Sequence, residues 1–228
     1  MSTSRDALAL FAVGSYSQAL RILDGDASRR ALSLDESVLR TQLLSLTGAV
    51  EATLVAARKL LKERGLSVVH RCKLRDALGS ACFRKGDLSK ASEHYLAGIQ
   101  LAETDNQLVE ECNLRVNFLR NQIHYVGPQQ AAADLSELRR KIQHLGEQAV
   151  AVRFQLGLTE LAAKLGLLPR ARKHLETAKA LLPTVQDKAL HADCLLCEVA
   201  LMAVESNLTD AIAQALQLTT IAEQTGSE

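Results

Sequence analysis

Two sets of side chains have types and spacings that could do chemistry, and the first is a cysteine pair. Cys194 and Cys197 form a CxxC sequence, the spacing used by zinc sites and by thiol–disulfide exchange. The pair lies inside an apolar stretch typical of a helix, and no second CxxC or histidine pair accompanies it at a zinc-finger spacing. We therefore interpret the two cysteines as core packing.

Patterns for other chemistries are missing from the sequence. The six histidines are scattered, and none forms an H-x-x-x-H or H-E-x-x-H pair. There is no Walker A loop, no G-x-G-x-x-G and no G-x-S-x-G, the motifs that bind phosphates or present a nucleophile. We therefore expect no catalytic residue, no metal and no cofactor, and a function other than catalysis.

The second set is a pair of asparagines. Asn117 and Asn121 are four residues apart, so on a helix they share a face. An asparagine amide both donates and accepts hydrogen bonds, which suits it to hold the backbone of an extended peptide. Asparagine is also a poor helix former, so two of them in mid-helix carry a small cost that a function would explain. The alternative is that they face solvent or bridge to a neighbouring helix.

The elements that must position these residues are helices. Of the 228 residues, 47% are hydrophobic and only 3% aromatic, and Pro occurs three times. Ala and Leu favour helix, whereas β-branched and aromatic runs that build strands are scarce. The composition predicts an all-α protein, and its net charge of +1 gives no bulk signal for nucleic acid.

The cysteine count and the N-terminus bear on the compartment. The five cysteines are odd in number and irregularly spaced, which indicates reduced core thiols. The N-terminus lacks the apolar region of a signal peptide, and no apolar stretch reaches the length of a membrane span. We expect a soluble, cytoplasmic protein.

One pattern occurs twice with the same offsets. A glycine is followed after five residues by alanine, after nine by a bulky residue and after twelve by a small one. The glycine ends one helix, the alanine lets the next helix approach closely, and the bulky residue fills the groove between them. The two copies are Gly86, Ala91, Tyr95 and Gly98, and Gly166, Ala171, Leu175 and Ala178.

This pattern resembles the tetratricopeptide repeat (TPR). Similar turns recur at Gly14, Gly48, Gly127 and Asn207, at spacings that begin near 34 residues and then run near 40. The standard repeat has 34 residues, so the sequence is more similar to long-helix TPR variants of bacterial regulators and signalling adaptors. The resemblance implies a right-handed α-solenoid of about six antiparallel helix pairs, with the first (A) helices on its concave face. The units are about 1–33, 34–66, 67–105, 106–147, 148–184 and 185–228.

The apolar periodicity predicts where the helices lie. The stretch from Asp24 to Ser33 is the least periodic and is predicted to be a loop. The predicted pairs are 3–12 and 16–24, 35–47 and 50–64, 68–85 and 88–103, 107–125 and 129–145, 149–165 and 168–182, and 186–205 and 208–224.

The resemblance also implies a working surface. Counted back from Gly127, Asn117 and Asn121 occupy the helix A positions that face the concave groove in peptide-binding TPR proteins. The result would be a polar, mostly basic groove for an extended peptide with a carboxylate or acidic side chain. The carboxylate-clamp pattern of the family is only partly met. The same count adds His124, Lys73, Asp76, Ser80, Arg84, Arg153 and Glu160 to the groove.

The end of the sequence predicts a second contact surface. Its last helix has an apolar face broader than a terminal helix needs. Either the solenoid continues in a longer protein, or this end self-associates or docks a partner in a larger complex. The apolar residues that would do so include Leu208, Ile212, Leu216 and Ile221.

The leading hypothesis is a protein- or peptide-binding scaffold in an intracellular signalling, regulatory or multi-subunit assembly. A chaperone-like or secretion-associated adaptor is the alternative, and it would need an apolar groove. An RNA-binding helical repeat is less favoured, because the basic clusters lack the interleaved aromatic residues that stack on bases.

Overall fold

The computed structural model describes residues 3–133 and 135–204, and nearly all of them are helical, with no strand among them. A single 3-10 turn, Leu182–Thr184, follows α11. The helices are α1 (Thr3–Ala12), α2 (Tyr16–Ala27), α3 (Leu34–Leu46), α4 (Val50–Leu60), α5 (Val68–Arg84), α6 (Leu88–Thr104), α7 (Leu108–Tyr125), α8 (Pro128–Ala131), α9 (Leu135–Leu145), α10 (Gln148–Lys164), α11 (Leu168–Leu181) and α12 (Lys188–Val204).

The repeated pattern forms the turn that it predicts. Gly86 follows α5 with φ +81°, a left-handed conformation that glycine adopts without a Cβ penalty. The Asp87 amide then donates to the Cys82 carbonyl at 2.9 Å, which closes the helix end. Ala91 and Tyr95 of α6 are buried against α5, as the close approach and the filled groove require. The all-α solenoid predicted from the sequence is confirmed.

Two predicted boundaries differ from the structure. The segment predicted as a loop from Asp24 begins only after Ala27, because α2 runs one turn further. The helix predicted over 129–145 is divided into α8 and α9. At the break the Ala133 amide bonds the Gln130 carbonyl, a three-residue spacing that tightens and ends α8. No glycine or proline marks this break, so the periodicity did not reveal it.

The A helices lie side by side along the inner face of the array. Helix α5 contacts α3 and α7, and α10 contacts α7 and α12. Among the described residues, the B helices α2, α4, α6 and α11 make their extensive contacts with A helices. Because the A helices pack closely and the B helices are spaced further apart, the array curves toward its A helices. The A helices therefore line the concave face, as the resemblance implies.

The apolar core continues from unit to unit along the described chain. One cluster joins α3 and α4 to α5, α6 and α7, and includes Leu54, Leu78 and Leu114. A second cluster links α7, α9 and α10, and a third links α10, α11 and α12. Each helix pair therefore buries its apolar faces against its neighbours, as expected for a solenoid.

The array curves far enough for its first unit to meet α12. The Lys188 amide at the start of α12 donates to the carbonyl of Val13, in the α1–α2 turn, at 3.1 Å. Gly14 of that turn has φ +73°, and a Cβ there would lie 2.3 Å from Asp187 Oδ1. We call this contact between the α1–α2 turn and residues 187–189 the ring closure. The sequence analysis did not predict it.

Candidate binding groove

The concave face carries a chain of polar contacts between successive A helices. The Asn117 amide of α7 donates to Asp76 Oδ1 of α5 at 2.8 Å. On the other side of α7, Arg153 of α10 donates to Asn113 Oδ1 at 3.2 Å. These side chains lie on the inner surface of the array, which we call the groove. The structure therefore brings together Asp76, Asn117 and Arg153, all three predicted to line the groove.

Charges on several A helices act on the same carboxyl groups. Arg153 acts electrostatically on Asp76 although α7 lies between their helices. Arg120 and Arg84, from α7 and α5, act in the same way on Asp193 of α12. Side chains two or three helices apart converge only on a concave surface, since on a convex one they diverge.

Asp76 is a carboxyl group of the groove with a raised pKa. Burial raises its pKa to about 6, against the opposing effects of the Asn117 hydrogen bond and the Arg153 charge. A carboxylate shielded from water loses hydration, and the hydrogen bond from Asn117 does not replace it. Asp76 thus changes its charge in a mildly acidic range.

Asp193 also faces the groove. Its side chain is exposed to solvent, and desolvation by the packed helices around it raises the pKa of its carboxyl. Arg120 and Arg153 partly offset that increase. Neither the repeat pattern nor the motif search identified Asp193, because it lies on an apolar helix with no repeat glycine beside it.

Asp187 connects the groove to the ring closure. Its Oδ1 accepts the Ala189 amide at 3.0 Å and so caps the first turn of α12. Its Oδ2 accepts from the Tyr16 hydroxyl at 3.0 Å and from Arg153 at 3.4 Å. Arg153 lies in the groove and Tyr16 belongs to the first unit, so Asp187 joins the two. Sequence analysis missed both Asp187 and Tyr16, since residues 171 positions apart share no local pattern.

Asn121 does not lie on the groove surface, so its predicted placement was wrong. Its relative exposure is 0%. Its amide donates to Ser92 Oγ at 2.7 Å and to the Leu88 carbonyl at 3.1 Å, both on α6. The four-residue spacing puts both asparagines on one side of α7, but the 3.6-residue period rotates Asn121 toward α6. Asn121 therefore joins two repeats and is not available to a partner.

A second polar cluster lies nearer the C-terminal ends of α7 and α10. Glu160 accepts from His124 Nε2 at 2.7 Å and lies 3.6 Å from Arg120 Nε. The His124 ring also packs edge-on against Phe83 of α5. His124 and Glu160 are therefore adjacent and pair with each other across the two A helices, a contact that the sequence analysis did not predict.

The remaining predicted residues of α5 have structural partners. Ser80 Oγ lies 3.2 Å from the Tyr95 hydroxyl. Arg84 donates to the Ser45 carbonyl at the end of α3 at 2.6 Å, beside the Gly48 amide that donates to the same oxygen. Lys73 is partly buried and lowers the pKa of Glu110, which burial raises. The groove is thus mixed in charge, with carboxylates beside arginines, and not mostly basic as predicted.

Two other sets of predicted residues are the C-terminal docking residues and the cysteine pair. Leu208, Ile212, Leu216 and Ile221, the predicted C-terminal docking residues, lie outside the described residues. Cys194 is buried, and burial raises its pKa to about 11 and that of Cys197 to about 12. Both thiols therefore stay protonated near neutral pH, which agrees with core packing.

The described part of the chain contains no group of three or more His, Cys, Asp or Glu side chains arranged to hold a metal ion. None of the helices between residues 3 and 204 is both long and apolar enough to cross a membrane.

Comparison with known proteins finds similarity in structure but not in sequence. No family model matches the chain, and no curated protein matches it. The crystal structure of the apo form of RapI has a TM-score of 0.66 at 11% identity, covering 98% of this chain and 90% of RapI. BtubC (BKLC) from P. vanneervenii has a TM-score of 0.59 at 15% identity, covering 100% of this chain and 94% of BtubC. These likenesses show a shared helical-repeat fold.

Proposed function

We propose that this chain is a TPR-like scaffold that binds a protein segment or extended peptide along its groove, without catalysing a reaction. The observation that carries the proposal is the groove itself. Asp76, Asn117, Arg153 and Asp193 come from four successive A helices and converge on one concave surface. An extended chain lying across these helices would meet hydrogen-bond donors and acceptors at each step.

The charge of the groove favours a polar partner with both signs of charge. Three aspartates, Asp76, Asp187 and Asp193, surround Arg153, so neither a purely acidic nor a purely basic segment would be matched throughout. Electrostatic complementarity of this kind selects a partner and sets its register more than it raises affinity. The partner's setting, an intracellular signalling, regulatory or multi-subunit assembly, is part of the proposal.

The alternative, a chaperone-like or secretion-associated adaptor, calls for an apolar groove that receives an amphipathic helix. The groove residues identified above are charged or amide side chains, which supports the peptide scaffold over the adaptor. For RNA, the described groove residues Asp76, Asn117, Arg153 and Asp193 offer no aromatic ring on which single-stranded bases could stack.

Selection from a random-peptide display library would test the proposal on the full chain. The groove variant is Asn117→Ala combined with Asp193→Ala. Its matched control is Gln100→Ala combined with Glu176→Ala, which removes an amide and a carboxylate from exposed positions of the B helices α6 and α11. Thermal unfolding would confirm that both variants fold.

We expect selected peptides to bind the wild type and the control equally and the groove variant at least about tenfold more weakly, a loss of about 1.4 kcal/mol. Peptides that bind all three proteins with the same affinity would place the binding surface elsewhere. Enrichment of purely apolar amphipathic sequences would favour the adaptor instead.

A further inference from the structure

The ring closure differs in kind from every other contact between units. Successive units share apolar clusters along the described chain. The cluster of the first unit, in contrast, includes only one residue from beyond α3, the partly buried Ala189. Among the described residues, the closure is therefore made mostly of hydrogen bonds, with little apolar area to hold it.

The closure also depends on one carboxylate. Asp187 is 8% exposed and accepts from Tyr16 on the first unit, from Arg153 in the groove, and from the amides of Ala189 and Leu190 in α12. The Val13–Lys188 backbone bond lies directly beside it. A substitution at any one of these partners therefore affects the hydrogen bonds of the others, because all of them share the two Asp187 oxygens.

We infer that the ring closure is a latch: the α1–α2 unit separates from α12 by local opening while the solenoid stays folded, and Arg153 biases this equilibrium from within the groove. Contacts with few apolar neighbours open at lower free energy than a protein's core. The bias follows because Arg153 holds the same Asp187 oxygen that receives the Tyr16 hydroxyl.

A consequence for binding rests on the proposed function. A ligand group that drew Arg153 away from Asp187 would weaken the latch, and an open latch would in turn release Arg153 to the ligand. Such coupling is reciprocal by thermodynamic necessity. The latch itself needs no ligand, so measurements on the free protein test it separately.

The exchange rate of the Lys188 amide measures the opening of the latch, because this amide donates to the Val13 carbonyl across the closure. Hydrogen exchange of the full chain would be followed at residue resolution, with amides in the middle of α7 and α10 as the reference for global unfolding. In the wild type we expect Lys188 to exchange faster than those core amides, at a rate nearly independent of low denaturant concentrations.

Two variants and one control test the mechanism. Tyr16→Phe removes the hydroxyl bond to a buried carboxylate and should raise Lys188 exchange about tenfold, with the core amides unchanged. Arg153→Met should raise it about threefold, since the Arg153–Asp187 contact is long and partly solvated. Tyr95→Phe removes the hydroxyl of a buried tyrosine far from the closure and should leave Lys188 unchanged.

The outcomes separate the parts of the inference. Exchange of Lys188 only together with the core amides would overturn the latch. A response to Tyr16→Phe without one to Arg153→Met would overturn the bias from the groove. A groove peptide that binds without altering Lys188 exchange would overturn the coupling alone, whereas failure to find any such peptide would count against the proposed function and leave the latch standing.

Discussion

Asp76→Asn should stabilise the protein near neutral pH. The substitution keeps an oxygen that accepts the Asn117 hydrogen bond, but it removes the charge that the groove wall leaves poorly solvated. Burial raises the Asp76 pKa in the folded protein to about 6, against a reference value of 3.8. An ionised Asp76 is desolvated in the folded state, which lowers the free energy of unfolding. Asp76→Asn should remove this destabilisation.

The pH dependence follows from proton linkage. Below about pH 4 the carboxyl is protonated in both states and contributes nothing. Between about pH 4 and pH 6 it ionises in the unfolded chain but stays protonated in the folded one, so the free energy of unfolding falls as pH rises. Above about pH 6 the carboxyl is ionised in both the folded and the unfolded state, and the full decrease in the free energy of unfolding persists.

The magnitude has a ceiling of about 3 kcal/mol, since a shift of about two pH units is worth about 1.4 kcal/mol per unit. Asp76 is only partly buried by surface area, and water in the groove screens part of this cost. We therefore expect Asp76→Asn to raise the free energy of unfolding at pH 7.5 by about 1–2 kcal/mol.

Urea denaturation of wild type and variant at several values between pH 4 and pH 8 would measure this difference. Asp105→Asn, at an exposed aspartate, serves as the control and should leave the curve unchanged. A difference between wild type and Asp76→Asn that is the same at pH 4.5 and pH 7.5 would refute the reasoning, as would a less stable variant at pH 7.5. If the groove binds a partner, the stabilised variant should also bind it more weakly.

Two further pairs of substitutions test the packing by the same measurement. Asn121→Ala should cost about 2–3 kcal/mol at every pH, because it removes a fully buried amide that donates to Ser92 Oγ and to the Leu88 carbonyl. Asn117→Ala should cost about 1–2 kcal/mol at pH 7.5 and less at pH 4.5, because its partner Asp76 is then protonated; the same pH dependence for both variants would contradict the assignment of Asn121 to the interior. Gly14→Ala should cost about 2 kcal/mol and Gly166→Ala about 1 kcal/mol, because the clash at Gly14 is relieved when the ring closure opens and so adds no more than the free energy of that opening. Both glycines have φ +73°, but only at Gly14 does a Cβ meet Asp187, so similar costs would argue against a closed ring.

The helix pairs could be predicted from the sequence because their causes are local. The offsets from Gly86 to Tyr95 determine a helix end and the residues that the next helix packs upon, and both are properties of one short segment. The break between α8 and α9 was not predicted, because no helix-breaking residue marks it. Helix α9 packs on α7 and α10, and such long-range packing leaves no local pattern.

The groove could be predicted only in part. Repeat counting assigned Asp76, Asn117 and Arg153 to one surface, and the structure brings them near one another, because a residue's face on a helix follows from the period. It misplaced Asn121, since a 3.6-residue period turns positions four apart by a further 40° or so, which is enough to move a side chain from a groove to an adjoining helix.

By itself the sequence determined the secondary structure and the order of the helix pairs, since apolar periodicity and helix-ending glycines act within a few residues. Only the tertiary structure decided how far the array curves. Small rotations at each helix pair add along the chain, and their sum brings Tyr16 to Asp187 and Asp187 to Arg153. No local pattern encodes that sum, so the ring closure and the mixed charge of the groove became visible only in three dimensions.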